Sequence, residues 1–86
     1  MIKVIDFWAD WCPPCKAIKS SLDELEDELG IEIERLNADE HRDMLKKFNV
    51  QSIPTLIILR DGVEVDRIVG ATPRGFMRSK FIQAQA

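Results

Sequence analysis

The sequence has few metal-ligating side chains, no tyrosine and no long hydrophobic run. Its 86 residues contain two cysteines and one histidine, His41. A closed zinc site needs about four ligands, so Cys12, Cys15 and His41 would have to recruit a carboxylate, and we expect no metal site. No stretch approaches the roughly 18 apolar residues of a membrane-spanning helix, and no secretory signal is visible at the N-terminus. A cytoplasmic location is therefore the default expectation.

Neither positive nor negative charge is in large excess in this sequence. The net charge is −3, with 31% charged and 45% hydrophobic residues. This composition is typical of a globular protein and does not suggest steering toward nucleic acid or an anionic membrane. A chain of this length is near the lower limit for an unaided core. We therefore expect one domain over residues 1–86.

The first half of the sequence predicts a βαβ unit followed by a helix. A short, mostly apolar strand at residues 2–9 precedes an amphipathic helix at residues 13–29. Alternation at residues 31–36 indicates a half-exposed strand. Asp39 can cap a second helix of about ten residues. The βαβ crossover should be right-handed, with parallel strands.

The second half predicts an antiparallel hairpin and a last helix. An apolar strand at residues 55–59, an Asp-Gly turn and an alternating strand from Val63 form the hairpin. Thr72 is a capping residue, with Pro73 at the first position of the last helix. The whole chain is therefore predicted to be an α/β domain with a mixed four-stranded sheet.

The two cysteines lie three positions apart in the segment WCPPCK, residues 11–16. In a reducing compartment such a pair is more often metal-binding or redox-active than structural, and so short a loop gains little from closure. Cys12 adjoins a predicted helix N-terminus, where thiol pKa values fall from about 8.5 to between roughly 3.5 and 7.5. Because the thiolate attacks disulfides, Cys12 is the expected nucleophile and Cys15, shielded in the helix, the resolving thiol.

The two prolines between the cysteines have separate consequences. Pro14 fits the first turn of a helix, where an N–H has no intrahelical partner. Pro13 removes one more backbone donor from the neighbourhood of the Cys12 sulfur and forces an extended conformation on Cys12. A rigid loop favours ring closure, whereas the lost donor disfavours the thiolate. These residues therefore leave the redox potential open.

Two further positions are candidate parts of the site. Pro54 begins a predicted strand, where a cis Ile53–Pro54 bond would fit. Asp6 lies in the strand that leads to Cys12, and spacing alone favours a side chain that faces solvent. If Asp6 is buried instead, its pKa would rise and it would be a candidate acid or base for the Cys15 proton.

Three segments together resemble the thioredoxin family. DFWADWCPPCK is similar to its active-site segment DFWAxWCGPCK, LNAD to its middle strand end, and IPTLIILRDGVEVDRIVGA to its cis-proline strand, hairpin and loop. The resemblance implies a thioredoxin fold in the minimal βαβαββα form, with strand order 2-1-3-4 and three flanking helices. It also implies a monomeric protein disulfide reductase with no bound cofactor, whose redox-active Cys12–Cys15 disulfide takes electrons from NADPH through a flavoprotein such as thioredoxin reductase. Its other partners would be disulfide-containing protein substrates, held through transient mixed disulfides.

The resemblance also assigns roles to individual residues. Cys12 becomes the nucleophile, Cys15 the resolving thiol, and Asp6 the buried carboxylate that serves Cys15, which reverses the solvent-facing interpretation. The residues that would support the active site are Trp8, Trp11, Pro13, Pro14, Lys16, Arg35 and Pro54. Those that would bind the substrate backbone are Trp11, Ile53, Pro54, Val69, Gly70 and Ala71.

The sequence departs from the family pattern at four places. Ser20 occupies a position where many thioredoxins have a helix-kinking proline, so the first helix would run straight. Pro13 replaces the usual glycine, which affects the redox potential more than the mechanism. Arg35 stands where a lysine commonly neighbours the buried aspartate, and it would hold Asp6 ionised if it reaches the carboxylate. The resemblance begins at the family's second strand, so residues 31–36 should form a sheet edge.

Three alternatives to a thioredoxin-like reductase stay open at this point. The size matches a glutathione-linked glutaredoxin, although Pro14 replaces that family's tyrosine and no acid follows Gly70 as its glutathione contact would require. A net thiol oxidase or isomerase is disfavoured by the expected compartment. A binding module or a subunit of a larger complex is also compatible with a thioredoxin fold.

Overall fold

The computed structural model describes residues 1–86 and builds them around one four-stranded sheet. The elements are β1 (Ile2–Trp8), α1 (Pro13–Leu29), β2 (Glu32–Asn37), α2 (Arg42–Lys47), β3 (Thr55–Arg60), β4 (Val63–Val69) and α3 (Arg74–Gln85). The strand order is β2-β1-β3-β4; β1 pairs parallel with β2, and the other pairs are antiparallel. The fold class and strand order predicted above are confirmed. None of the three helices has the length and hydrophobicity needed to cross a membrane.

Alternate residues of β1 face the two sides of the sheet and divide the core. Ile2 and Val4 join the larger cluster, which packs α1 and α3 against the sheet. Ile5 and Phe7 join the smaller cluster on the opposite face, where α2 packs. Asp6 and Trp8 therefore follow Ile2 and Val4 toward the side of the sheet that α1 covers.

The boundaries of α1 agree with the prediction because special residues mark both ends. Cys12 is the N-cap, with an extended backbone of φ −103° and ψ 96°, and two prolines occupy the first helical positions. Gly30 ends the helix in the left-handed region with φ 63°, a conformation that glycine adopts without steric cost. The helix buries Ile18, Leu22 and Leu25 against the sheet.

The prediction for α2 is wrong in both its cap and its length. The helix begins at Arg42 after His41, which makes no side-chain capping bond, and it ends at Lys47. Asp39 lies in a turn ahead of the helix, where its N–H donates to Asn37 Oδ1 at 2.9 Å. The side chain of Asp39 instead accepts a hydrogen bond from Trp11 Nε1, also at 2.9 Å. A tertiary hydrogen bond thus takes the carboxylate that local sequence suggested for a cap.

The start of α3 also differs from the prediction by one residue. The N-cap is Pro73, whose carbonyl accepts from Phe76 N–H and Met77 N–H at 3.1 and 3.2 Å. Thr72 therefore lies before the cap, and its Oγ1 is buried without a hydrogen-bond partner. Threonine followed by proline is still a helix-start signal, but here the proline takes the capping position.

Residues of β2 form one edge of the sheet, as expected. Lys3 on β1 is close to two carboxylates of this edge strand, with Nζ 3.6 Å from Glu32 and 2.5 Å from Glu34. Charged side chains on an edge strand discourage pairing of its free edge with another chain. The glutamates of the alternating pattern therefore have a structural role at the edge.

Candidate active site

The two cysteines form a disulfide where β1 passes into α1. Their Cα atoms are 5.3 Å apart, and both residues are buried, with 3% of Cys12 and 6% of Cys15 exposed. Pro13 and Pro14 between them are exposed. In this oxidised state the two residues are buried to a similar extent, so burial does not distinguish them.

The first amide groups of α1 distinguish the two cysteines. The Cys15 N–H donates to Cys12 Sγ at 3.2 Å, and the Lys16 N–H donates to the Cys12 carbonyl at 3.2 Å. Pro13 and Pro14 have no N–H, so one backbone donor faces the Cys12 sulfur. Unpaired donors and the helix dipole both favour negative charge at a helix N-terminus. Cys12 is therefore the cysteine whose thiolate the helix stabilises.

Asp6 is buried and lines the same cavity as Cys15. Only 7% of the residue is exposed, and its side chain lines a cavity of about 340 Å³ together with Cys15, Trp8, Lys16, Lys19 and Arg35. Its Oδ1 atom has no hydrogen-bond partner. Burial raises the pKa of Asp6 to about 6, and the nearby charge of Arg35 opposes the rise. A carboxyl group that titrates near neutral pH therefore shares a cavity with the second cysteine.

Arg35 lies beside Asp6 in the β1–β2 register but does not hydrogen-bond to it. Its guanidinium donates to Asp23 Oδ1 at 2.7 Å and to Glu26 Oε1 at 3.3 Å, both on α1. The charge of Arg35 favours the ionised form of Asp6, in the expected direction, but no hydrogen bond joins the two residues and desolvation of the buried carboxyl outweighs the attraction. Local sequence carries no signal for these partners, because α1 and β2 meet only in the folded chain.

The two tryptophans lie on different sides of the cysteine pair. Trp8 is half-buried, packs against the cysteine cluster and lines the Asp6 cavity, where its Nε1 has no partner. Trp11 is 65% exposed and is fixed by its hydrogen bond to Asp39. An exposed, oriented indole next to a buried disulfide offers a contact surface to an approaching polypeptide.

The segment around Pro54 completes the site. The Ile53–Pro54 peptide bond is cis, Pro54 is buried, and Ile53 packs against the cysteine cluster. The Gly70 N–H donates to the Pro54 carbonyl at 2.8 Å, which ties the loop after β4 to this segment. Val69 and Ala71, on either side of Gly70, are exposed. The structure thus brings the residues predicted to bind substrate to one end of the sheet.

Replacing Gly70 with alanine is expected to lower the free energy of unfolding by about 1–2 kcal/mol. Gly70 has φ 88°, in the left-handed region, and no atom lies within 4 Å of an added Cβ, so the penalty comes from backbone strain alone. Urea unfolding of the variant and the wild type measures this change in the free energy of unfolding. Gly75→Ala is the matched control, since Gly75 is helical and equally uncrowded, and we expect it to stabilise by about 0.4–1 kcal/mol. Equal changes in both variants would contradict the strain argument.

The structure also shows features that the sequence did not. A groove of about 710 Å³ runs from Trp11 and Ile53 along α2 and includes Arg42, Leu45 and Lys46 in its lining. Local sequence carries no signal for this groove, because Trp11, Ile53 and α2 meet only in the folded chain. No group of three or more His, Cys, Asp and Glu side chains is arranged to hold a metal ion.

Sequence comparisons agree with this arrangement. A family model described as Thioredoxin matches residues 1–83. Curated relatives include a thioredoxin of Staphylococcus haemolyticus, 45% identical over 75 residues, and one of Bacillus subtilis, 43% identical over 75 residues. Each alignment covers 85% of this chain and 72% of the relative. The similarity therefore spans most of both proteins.

Solved structures are similar to the fold. A thioredoxin from Fasciola hepatica has a TM-score of 0.90 at 31% identity, covering 96% of this chain and 80% of that one. A mutant thioredoxin from Halobacterium salinarum has a TM-score of 0.95 over 99% of this chain and 75% of its own; at 24% identity it supports the fold alone. With a CPPC disulfide at the head of α1, the chain belongs to the thioredoxin family of dithiol–disulfide oxidoreductases.

Proposed function

We propose that this protein reduces disulfides in other proteins, with Cys12 attacking and Cys15 resolving. The observation that carries the direction is the hydrogen bond from the Cys15 N–H to Cys12 Sγ at the N-terminus of α1. This donor and the helix dipole stabilise a thiolate on Cys12 and give no comparable help to Cys15, which lies inside the first turn.

The reaction proceeds in two exchanges. The Cys12 thiolate attacks one sulfur of the substrate disulfide, so that a Cys12–substrate bond forms and the substrate S–S bond breaks, releasing one substrate thiolate. The deprotonated Cys15 then attacks Cys12 Sγ, which forms the Cys12–Cys15 disulfide and releases the second substrate thiolate. Two electrons pass from the protein dithiol to the substrate, and solvent protonates the released thiolates.

Asp6 is proposed to accept the Cys15 proton before the second exchange. The two residues line the same cavity of about 340 Å³, which is large enough for a bridging water. With a pKa of about 6, Asp6 is mostly ionised at pH 7 and remains basic enough to take a proton. Three cations also line the cavity, namely Lys16, Lys19 and Arg35. Their positive charges favour the ionised form of Asp6 once it has released the proton that it took from Cys15.

The substrate backbone is proposed to lie across Trp11, Ile53 and Pro54, with the loop of Val69, Gly70 and Ala71 opposite. Support comes from the exposure of Trp11 and Val69 and from the hydrogen bond that fixes the two loops to each other, Gly70 N–H to the Pro54 carbonyl. With that carbonyl occupied, the backbone groups of Ile53 remain for pairing with an extended peptide.

We further propose that the protein works as a monomeric domain of residues 1–86 in the cytoplasm. After each cycle thioredoxin reductase, a flavoprotein that takes electrons from NADPH, would reduce the Cys12–Cys15 disulfide back to the dithiol. No resident cofactor, nucleic acid or membrane is needed in this scheme. Membership of the thioredoxin family supports a reductase and disulfide-containing substrates as partners in general.

The test is reduction of insulin by the wild-type protein with two electron supplies. We expect turnover with thioredoxin reductase and NADPH and much slower turnover with glutathione, glutathione reductase and NADPH. Dithiothreitol in a third reaction measures the activity of the dithiol itself. A strong preference for glutathione would favour the glutaredoxin-like alternative, and failure with all three supplies would overturn disulfide reduction and leave the binding module.

A further inference from the structure

The groove between Trp11 and α2 leads away from the active site. Trp11 directly precedes Cys12, and Ile53 packs against the cysteine cluster. Both side chains also line the groove, so it is continuous with the region in which a substrate disulfide must lie. Beyond them the floor is apolar, formed by Leu45 and Val50.

Two cations of α2 line this groove without an ionic partner. Arg42 and Lys46 are exposed and one helical turn apart, and neither has a carboxylate oxygen within 4.0 Å. Ion pairs engage most other cations of the chain, namely Lys3, Lys19, Arg35, Arg67, Arg74, Arg78 and Lys80.

The groove lining therefore has two positive charges, on Arg42 and Lys46, against one negative charge, on Asp39, and is positive overall. Asp39 is the one acidic residue in the lining, and its Oδ2 accepts the hydrogen bond from Trp11. The whole chain has a net charge of −3, so the positive groove differs in sign from the molecule around it. A local charge of this kind selects partners of the opposite sign and speeds their approach.

Resting on the proposed disulfide reduction, we propose that this groove binds an acidic polypeptide segment next to the reactive cysteine of the protein substrate. Arg42 and Lys46 contact its Asp or Glu carboxylates, and Leu45 and Val50 contact apolar side chains between them. Arg42 is suited to bidentate contact with a carboxylate. The mixed lining fits a polypeptide better than a small anion, which would use the cations and leave the apolar floor uncovered.

The expected effect is moderate because the contacts are exposed. A solvent-accessible ion pair changes an equilibrium by up to about fivefold, so losing both cations should lower the rate on an acidic substrate about tenfold at low salt. The difference should shrink as ionic strength rises, because the Debye length falls from about 10 Å at 0.1 M to about 3 Å at 1 M.

The experiment measures the second-order rate at which the reduced protein reduces two disulfide peptides. The peptides are identical except that glutamates beside the reactive cysteine in one are glutamines in the other. The variants are Arg42→Gln, Lys46→Gln and the double variant. Lys47→Gln is the matched control, since Lys47 is also exposed on α2 and has no ion pair, although its Nζ lies 5.6 Å from the centre of the Phe48 ring, and it is outside the groove lining.

We expect the wild type and Lys47→Gln to prefer the glutamate peptide about tenfold at low salt, and the double variant to lose that preference without slowing on the glutamine peptide. Equal wild-type rates on both peptides would overturn the inference, as would an equal loss in Lys47→Gln. Reduction of oxidised glutathione that depends as steeply on the two cations would overturn the assignment to a polypeptide. If the wild type reduces neither peptide, the proposed function itself fails.

Discussion

Replacing Cys12 with serine is expected to lower insulin reduction to the rate of dithiothreitol alone. The hydroxyl keeps the size of the thiol but is not ionised near neutral pH, so no nucleophile remains at the head of α1. Cys15 does not substitute for Cys12, because the N-terminus of α1 stabilises negative charge at position 12 and not at position 15. In the wild type, Cys12 Sγ is the atom that accepts the Cys15 N–H. Turbidity of precipitating insulin chains measures the rate.

The complementary variant, Cys15→Ser, tests the direction of the reaction. It should form the first bond with substrate and fail to break it, so a mixed disulfide between Cys12 and a substrate peptide accumulates. Mass spectrometry of the intact adduct detects this species, and dithiothreitol reverses it. If Cys12→Ser traps the peptide and Cys15→Ser does not, the assigned roles of the two cysteines are reversed.

Replacing Asp6 with asparagine is expected to stabilise the oxidised protein at pH 8 by about 3 kcal/mol. The pKa of Asp6 rises from 3.8 to about 6 on folding, and each pKa unit corresponds to about 1.4 kcal/mol. Between these values the folded state binds more protons than the unfolded state, so wild-type stability falls as the pH rises from about 4 to 6 and is level above that range. The neutral amide does not titrate and escapes this loss.

Denaturant unfolding from pH 3.5 to 8 measures the effect through the difference between the two proteins. The gap should be smallest at pH 3.5, should open through pH 5 and should be constant above pH 7. Asp10→Asn is the control, because Asp10 is exposed and its replacement should give a curve parallel to the wild type. A gap that does not change with pH would contradict the argument from burial.

The same variant should be a poorer catalyst. Without the Asp6 carboxylate no buried acceptor is available for the Cys15 proton, so resolution of a mixed disulfide formed at Cys12 should slow by about 10²-fold, at the lower end of general acid–base effects. Quenched time points resolve this step. A variant that is more stable and slower would show that the buried carboxyl is retained for chemistry at the expense of stability.

Local sequence patterns predicted α1 and the strands of the sheet correctly. They did not predict which distant residues the loop side chains contact. Two prolines and Gly30 mark the ends of α1 without any help from the rest of the fold. Asp39 has the same capping chemistry as other helix-start residues, yet its carboxylate accepts from Trp11, 28 positions away in the chain. Nothing in the local pattern distinguishes these two uses of an aspartate, so the error at α2 was unavoidable from spacing.

Some residues of the candidate site could likewise be predicted from local sequence, and others depend on the folded structure. The spacing of Cys12 and Cys15 and the helix that follows predict the nucleophile from local chemistry alone. The burial of Asp6 depends on which face of β1 it occupies and on what α1 covers, and spacing by itself favoured the opposite. Arg35 shows the limit most clearly, since its partners Asp23 and Glu26 belong to a helix that precedes it and meets β2 only in the folded chain.

The two prolines after Cys12 also simplify the spectroscopy of this protein. Proline has no amide proton, so residues 13 and 14 give no peak in a proton–nitrogen correlation spectrum, and the first peak of α1 belongs to Cys15. That amide donates to Cys12 Sγ. Its chemical shift is therefore a direct probe of the sulfur. Titrating the reduced, nitrogen-15-labelled protein while following this one resonance would report the ionisation of the nucleophile without a reporter group attached to the cysteine.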